Sequence, residues 1–174
     1  MRAIVQRVAA ARVEIGQETV GEIGQGLMIL LGVSETDTIA EVKFLAKKLV
    51  NLRIFTDEND KMNLSLADID GEALVVSQFT LYGNCKKGNR PSFIAAGRPE
   101  ISEPLYEDFV HELIALGVRE VATGRFGADM QVYIQNDGPV TLMLDTDEIM
   151  PARAAAPTAG HSHDHEGCRG HDHC

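Results

Sequence analysis

The amino-acid sequence predicts a single α+β (mixed α/β) domain with a strongly curved, barrel-like β-sheet and two main helices. Three observations support this prediction. The chain of 174 residues is long enough to bury one sizeable core. Short apolar runs with strand-like patterns recur along it, and the early runs are close enough in sequence to pair antiparallel. Two longer segments instead repeat apolar residues at helical spacing.

The first part of the chain indicates four strand segments. Residues 2–8 alternate between apolar and polar side chains, and residues 12–15 and 18–23 indicate a hairpin that turns at Gly16-Gln17. Residues 27–33 are apolar throughout, so we expect this strand to be buried on both faces.

The first helix is predicted over about residues 38–52. Thr38 and Glu41 have the spacing of a capping box, which satisfies two backbone N–H groups at a helix start. The lysines on this segment are most simply a solvated face. The apolar stripe consists of Ile39, Val42, Leu45, Leu49 and Leu52.

The second helix is predicted over about residues 103–116. Ser102 is expected to cap it, Pro104 suits its first turn, and Gly117 can end it. Tyr106 is expected on the flank of the helix. The apolar stripe consists of Leu105, Phe109, Val110, Leu113 and Ile114.

Two last strands are predicted over residues 130–134 and 140–144, after a further apolar segment at residues 118–123. A polar insert at residues 136–139, Asn-Asp-Gly-Pro, separates the two strands. On spacing alone a hairpin turn is the favoured interpretation, because these are the usual turn residues. The alternative is a binding site, since a Gly-Pro pair brings two carbonyl groups close to a ligand such as an ammonium group.

From Pro151 the composition changes, which divides the chain into a folded domain over residues 1–150 and a tail over residues 151–174. Residues 151–160 resemble a linker, and five of the six histidines follow them. The tail has no means of building a core and is expected to be disordered without a ligand. Its side chains suit Zn²⁺ or Ni²⁺, and the candidate ligands are His161, His163, His165, Cys168, His171, His173 and Cys174.

The charge and the hydropathy pattern limit the partners. A net charge of −10 argues against broad nucleic-acid binding, so DNA is not expected as a partner. The sequence has no apolar run of the roughly 20 residues that a membrane span needs and no signal-peptide pattern at its start, so we expect a cytoplasmic protein without a membrane partner. One segment without acids, residues 85–98, is either a phosphate-sized patch or a solvated loop. Its cations are Lys86, Lys87, Arg90 and Arg98.

Ordinary catalytic side chains are scarce before the tail. His111 is the only histidine and Cys85 the only cysteine of residues 1–150, and no motif surrounds either of them. An enzyme with this composition would depend on backbone donors, on positioning and on a group that the substrate supplies. The candidates lie at the polar end of a buried strand predicted over residues 74–81, and they are Ser77, Gln78, Phe79 and Thr80. The alternative for these residues is a strand whose polar side chains face water.

Five segments together resemble the D-aminoacyl-tRNA deacylase family. They are residues 1–8, 77–81, 87–93, 126–130 and 136–141, and they occur in the family's order. The resemblance implies a homodimer that hydrolyses the ester between a D-amino acid and the terminal ribose of tRNA. It also implies that no cofactor is required, because the ribose 2′-hydroxyl supplies the activating group.

The resemblance also assigns roles to residues. It implies that residues 77–80 are catalytic, with N–H groups near Phe79 and Thr80 stabilising the oxyanion. Gly138 and Pro139 correspond to a cis peptide that enters the partner subunit's pocket, holds the substrate's ammonium group and excludes L side chains. Glycine is expected to pass this filter, so glycyl-tRNA mischarged on tRNA-Ala is a further expected substrate. The basic segment is then expected to contact acceptor-stem phosphates.

Two other functions remain open from the residues alone. The His- and Cys-rich tail is compatible with a metal-buffering or metal-delivery protein whose folded domain is only a carrier. A third possibility is an RNA-binding module without catalysis.

Overall fold

Strand β1 (Arg2–Ile15) is the centre of the sheet in the computed structural model, which describes residues 1–151. The tail ligands predicted above therefore lie outside the described residues. A 3₁₀ turn spans Phe79–Tyr82. The other elements are β2 (Glu18–Ile23), β3 (Gly26–Gly32), α1 (Ile39–Val50), β4 (Phe55–Thr56), β5 (Met62–Leu64), β6 (Glu72–Ser77), α2 (Pro99–Ala115), β7 (Val121–Thr123), β8 (Gln131–Asp145) and α3 (Thr146–Ile149).

The sheet curls into a nearly closed barrel, which confirms the predicted fold class. One edge of β1 pairs antiparallel with β3 along its first half and with β2 along its second half, while β8 follows the other edge. Strands β3, β6 and β7 continue the sheet in parallel. Strand β7 then approaches β2 so closely that a Cβ on Gly21 would lie 2.5 Å from the carbonyl oxygen of Thr123. The hairpin between β1 and β2 turns at Gly16-Gln17, as predicted.

Two apolar clusters use the two faces of the sheet. Leu27, Ile29 and Leu31 of β3 belong to the cluster beneath the helices, and Met28 belongs to the cluster inside the barrel. Strand β6 alternates in the same way. Apolar side chains on both faces explain why β3 is apolar throughout, and the prediction that it is buried on both faces is confirmed.

Helix α1 forms as predicted. Thr38 is its N-cap, and the capping box with Glu41 is present: the Glu41 carboxylate accepts from the backbone N–H of Thr38 at 2.7 Å. The helix packs Val42, Leu45 and Leu49 into the core. Its exposed face carries the lysines.

Helix α2 begins earlier than predicted. It starts at Pro99, with Arg98 as N-cap, so Pro104 lies inside the helix. Ser102 does not cap it; its hydroxyl donates to the carbonyl of Gly97 at 2.8 Å. Tyr106, expected on the flank, is buried, because its side chain faces the sheet.

The last strand corrects a second prediction. Residues 130–134 and 140–144 are not two strands joined by a hairpin; they belong to the single strand β8, which runs antiparallel to β1. The pairing continues on both sides of the Asn-Asp-Gly-Pro insert, with Gln6 opposite Thr141 and Val8 opposite Asn136. The insert is therefore a bulge, because one residue of β1 faces residues 137–140.

The start of β1 is held by charge as well as by pairing. The buried ammonium group of Met1 donates to the Asp37 carboxylate and to the Thr146 hydroxyl, each at 2.6 Å. These contacts join the first strand to the segment before α1 and to α3. Among the described residues, no helix is long and apolar enough to cross a bilayer.

Two residues of α2 provide a test of this packing. Phe109 is fully buried, whereas Ile114, predicted in the same stripe, is 55% exposed. Replacing Phe109 by Ala is expected to lower the free energy of unfolding by about 3–5 kcal/mol, because it removes a buried ring and leaves a cavity. Ile114→Ala is the control and should change it by less than about 0.5 kcal/mol. Urea unfolding measures both values, and equal losses would contradict this arrangement of α2.

Candidate functional site

Strand β6 ends at Ser77, four residues earlier than predicted, because the chain turns into the 3₁₀ turn. The backbone N–H of Gln78 donates to the carbonyl of Leu31 at 2.8 Å, which holds the turn against the end of β3. Gly32 provides the space: a Cβ there would lie 3.0 Å from the Gln78 carbonyl oxygen. Ser77 is therefore the last residue of β6, whereas Gln78 and Thr80 lie on the turn beyond the sheet.

The turn presents backbone donors and polar side chains together. The first N–H groups of a helical turn have no carbonyl partner inside it. In this turn they belong to Phe79 and Thr80. The Gln78 side-chain amide donates to the Thr80 hydroxyl. This contact orients the hydroxyl from within the turn.

A cleft of about 650 Å³ opens beside this turn, between the ends of β3 and β6 and the start of α2. Ser77, Gln78 and Phe79 line it, whereas Thr80 is exposed and is not among its lining residues. Most of the wall is apolar or aromatic. These wall residues are Leu31, Val33, Val76, Phe79, Phe93, Tyr106, Phe126 and Met130.

Aromatic contacts stiffen the wall of the cleft. The rings of Phe79 and Phe93 meet edge to face with centroids 5.2 Å apart, and those of Tyr106 and Phe126 are 6.0 Å apart. The Tyr106 hydroxyl donates to the carbonyl of Val75 at 2.8 Å. Burial raises the pKa of Tyr106, so this phenol stays neutral and keeps donating.

An ion pair secures the segment that brings Phe93 to the cleft. Both the backbone N–H and the guanidinium Nε of Arg98 donate to the Glu35 carboxylate, at 3.0 and 2.9 Å. The backbone N–H, and then the guanidinium, hold the pKa of Glu35 below its ordinary value. The segment is further tied to the end of β3 by the N–H of Gly97, which donates to the carbonyl of Val33 at 2.9 Å.

Gly138 and Pro139 lie apart from this cleft. They are exposed on the β8 bulge, and neither lines the cleft. The peptide bond between them is cis, and Gly138 has φ +120°, a conformation that favours glycine. The described chain thus does not bring the two predicted parts of the site together.

Arg7 is a residue that the sequence reasoning missed. It is only 7% exposed, and it donates to the carbonyl of Ile54 at 2.6 Å and to that of Asp137 at 3.2 Å. Its Nε also lies 3.0 Å from the Asp137 carboxylate. A signal was present: Arg7 continues the alternation of the buried Ala3 and Val5, so an arginine occupies a position of apolar pattern.

The first part of the basic segment forms an exposed loop whose residues 85–92 do not line the cleft. Pairing between Asn84 and Ser92 closes it, and Lys86, Lys87 and Arg90 are exposed at its tip. The loop follows the 3₁₀ turn directly in the chain, so its cations lie to one side of the site.

The two isolated side chains named above are not in the cleft. His111 is exposed on α2, and Cys85 is a free, exposed thiol in the basic loop. Within residues 1–151, no group of three His, Cys, Asp or Glu side chains is arranged to hold a metal ion.

Fold and cleft together define a class: α+β barrel proteins with an apolar cleft beside a 3₁₀ turn. The chain belongs to the D-Tyr-tRNA(Tyr) deacylase family, whose sequence model matches residues 4–145. The predicted resemblance is confirmed.

This chain matches two named relatives over nearly the whole length of each. A D-aminoacyl-tRNA deacylase of Desulfatibacillum aliphaticivorans is 57% identical over 146 residues, which are 84% of this chain and 99% of that protein. A D-aminoacyl-tRNA deacylase of Thermosipho africanus is 55% identical over 149 residues, 86% of this chain and 99% of that protein.

Two solved structures share the fold. A structure named c-Myc DNA Unwinding Element Binding Protein superposes with a TM-score of 0.79 at 44% identity, over 83% of this chain and 98% of that one. A probable eukaryotic D-amino acid tRNA deacylase gives a TM-score of 0.73 over 82% of this chain and 97% of that one. Its identity is 20%, so this second match concerns the fold alone.

Arg7→Lys tests the anchor beneath the bulge. A lysine cannot replace the planar donor set that reaches both Ile54 and Asp137, so we expect the free energy of unfolding to fall by about 1–3 kcal/mol. The control is Arg12→Lys on the same strand, where a more exposed Arg12 pairs with Glu14 at 2.8 Å. That change should cost much less than Arg7→Lys, because the pair of Arg12 with Glu14 is exposed to solvent. Thermal and urea unfolding measure the loss of stability in both variants. Equal losses would contradict a special role for Arg7.

Proposed function

We propose that the protein is a D-aminoacyl-tRNA deacylase, which hydrolyses the ester between a D-amino acid and the terminal ribose of tRNA. The products are the free amino acid and the tRNA, so the role is chiral proofreading in translation. The observation that carries the proposal is the 3₁₀ turn over Phe79–Tyr82, which begins at an apolar cleft lined by Ser77, Gln78 and Phe79. Membership of the deacylase family supports the same reaction.

The reaction needs few side chains. Water attacks the ester carbonyl carbon, and the carbonyl oxygen becomes an oxyanion. The N–H groups of Phe79 and Thr80 stabilise this oxyanion until the tetrahedral intermediate collapses. The bond to the ribose oxygen breaks, and that oxygen takes up the proton that the attacking water has lost. The neighbouring ribose hydroxyl of the substrate assists this transfer. Donors of this kind are worth about 3 kcal/mol each in other hydrolases.

The remaining residues of the motif position this turn. Ser77 and Gln78 line the cleft, and the contact of Gln78 with the Thr80 hydroxyl ties the side chains together. The amino-acid side chain enters the apolar part of the cleft. Phe93 and Phe126 face it there, which suits aromatic and aliphatic groups.

Chiral selection is assigned to Gly138 and Pro139 acting in the cleft of a second copy, so the active unit is a homodimer. Two observations support this arrangement: the pair is exposed, and it lies outside the cleft of its own chain. Their carbonyl groups would accept from the substrate's ammonium group, and backbone atoms would fill the place of an L side chain. Glycine has no side chain, so glycyl-tRNA mischarged on tRNA-Ala passes as well.

The tRNA is held by phosphate contacts near the site. Lys86, Lys87 and Arg90 are the proposed contacts, because they are exposed on the loop that follows the 3₁₀ turn. On a chain with net charge −10, such binding is modest in strength and sensitive to salt. No cofactor is assigned to the reaction, and its place is the cytoplasm, where aminoacyl-tRNA is consumed.

The name of one solved relative raises DNA as a second partner. The charge of this chain weighs against it, because duplex binding depends on clustered cations that neutralise phosphates over a longer surface. Single-stranded tRNA ends match the small basic loop better. We therefore keep tRNA as the nucleic-acid partner.

Gly138→Ala tests the selector. A Cβ would lie 2.8 Å from Nη2 of Arg7 and 2.8 Å from a methyl of Val140, in a backbone conformation that side chains rarely adopt. The bulge must shift, so we expect kcat/KM for D-aminoacyl-tRNA to fall at least about tenfold and the preference for D over L to shrink. The measurement is released amino acid from matched D- and L-tyrosyl-tRNA.

Gly16→Ala is the matched control for the backbone cost. Gly16 also has positive φ, but nothing lies within 4 Å of a Cβ there, and it sits in the β1–β2 turn. Its kinetics should equal those of the unaltered protein. Equal rates of the unaltered protein on both esters would refute chiral proofreading, and an unchanged Gly138→Ala variant would refute the selector.

The tail supports a second, separable proposal: residues 151–174 bind Zn²⁺ or Ni²⁺ through His161, His163, His165, Cys168, His171, His173 and Cys174. The specific observation is the density of imidazole and thiol groups in the sequence. A metal-buffering or metal-delivery role would follow from this binding. The folded domain would then be a carrier as well as an enzyme.

A variant that ends at residue 150 separates the two proposals. We expect it to hydrolyse D-aminoacyl-tRNA at the full rate, with or without EDTA, because the proposed reaction uses no metal. Calorimetric titration with Zn²⁺ should show binding by the full chain and none by the shortened chain. Loss of hydrolysis on truncation or chelation would instead make the metal part of the enzyme.

A further inference from the structure

We infer that Asn136 is a positioning residue for chiral selection, because its side chain fixes the bulge that carries Gly138 and Pro139. The inference rests on the proposed function, in which this pair enters the cleft of a second copy. Asn136 itself does not need to touch the substrate. It acts by setting where the backbone of residues 137–140 stands.

The contacts of Asn136 span the bulge. Its side-chain nitrogen Nδ2 donates to the carbonyl of Arg7 at 2.9 Å and to the carbonyl of Val140 at 3.0 Å. An amide NH₂ has two hydrogens, so both of its donors are used. One contact joins β8 to β1, and the other joins the two ends of the bulge.

These two bonds replace bonds that the strand ladder lacks at this point. Regular pairing stops at Val8 opposite Asn136 and resumes at Gln6 opposite Thr141, which leaves Arg7 without a single opposite residue. Pro139 has no N–H to offer to the neighbouring strand. A half-buried carbonyl needs a partner, and the Asn136 amide supplies one to each side.

The bulge is thereby held from two sides. The Arg7 guanidinium contacts Asp137 at its first residue, and the Asn136 amide contacts Val140 at its last. Gly138 and Pro139 lie between these two contacts, on the exposed part of the bulge. A selector made of backbone atoms rejects an L side chain only if it cannot move aside, so these contacts bear on the ratio of D to L hydrolysis.

Asn136→Asp is the sharpest test, because it keeps the shape and removes both donors. A carboxylate oxygen would then face two carbonyl oxygens, and the bulge would be released. We expect the ratio of kcat/KM for D-tyrosyl-tRNA to that for L-tyrosyl-tRNA to fall at least about tenfold. The control is Gln135→Glu, the same chemical change at the preceding, exposed residue of β8, which should leave the ratio unchanged.

The ratio separates positioning from a general loss of stability, which would lower both rates by one factor. A folded Asn136→Asp variant with the original ratio, or with both rates reduced equally, overturns the inference. Should that variant not fold, Asn136→Ala decides by the same criterion. Should turnover be too slow, competition by amide-linked D- and L-tyrosyl-adenosine gives the ratio as binding. If the unaltered protein shows no preference, the proposed function itself fails, and this result is distinct from failure of the Asn136 variants alone.

Discussion

The pairing of β1 with β8 is the constraint on which the rest of the structure depends. Strand β1 has three partners, and it accommodates them because β2 and β3 divide one edge while β8 takes the other. That division makes the sheet turn back on itself, so that β7 meets β2 at Gly21. The two strands contribute unequal numbers of residues to this pairing, and the larger irregularity lies opposite Arg7, while a second register shift lies between Val8 and Ala10. A closed barrel and a projecting bulge thus have one origin.

The parallel half of the sheet makes the cleft. Strands β3 and β6 run side by side and end at the same edge, where Gly32 leaves room for the 3₁₀ turn. Helix α2 and the segment before it close the other side through the contact of Arg98 with Glu35. Donors and apolar wall therefore come from the rigid centre of the fold, in agreement with the general preference for ligand sites at the carboxyl ends of parallel strands.

Local signals were predictable from the sequence, and long-range ones were not. The capping box of Thr38 and Glu41 and the turn at Gly16-Gln17 depend only on neighbours in the chain, and both were correct. The predicted start of α2 was wrong, because Pro99 and Pro104 both suit the first turn of a helix. In the structure the helix starts at Pro99, and Ser102 contacts the carbonyl of Gly97 instead of capping the helix. The prediction of a hairpin turn at the insert in β8 was wrong, because a bulge and a hairpin turn use the same residue types. Only the partner strand distinguishes them, since β1 continues past the insert.

A site built from backbone leaves a particular trace in a sequence. Catalytic side chains are recognised by type, but N–H and carbonyl groups are present at every residue and identify nothing. What such a site requires is unusual backbone, and the residues that make it possible are the visible trace: Gly138 for its conformation, Arg7 for a buried donor set, and Asn136 for two bonds that the ladder lacks. Each was explicable alone as ordinary structure. They converge on residues 137–140 of β8, and in the proposed function this matters because a wall of backbone is only as selective as it is immobile.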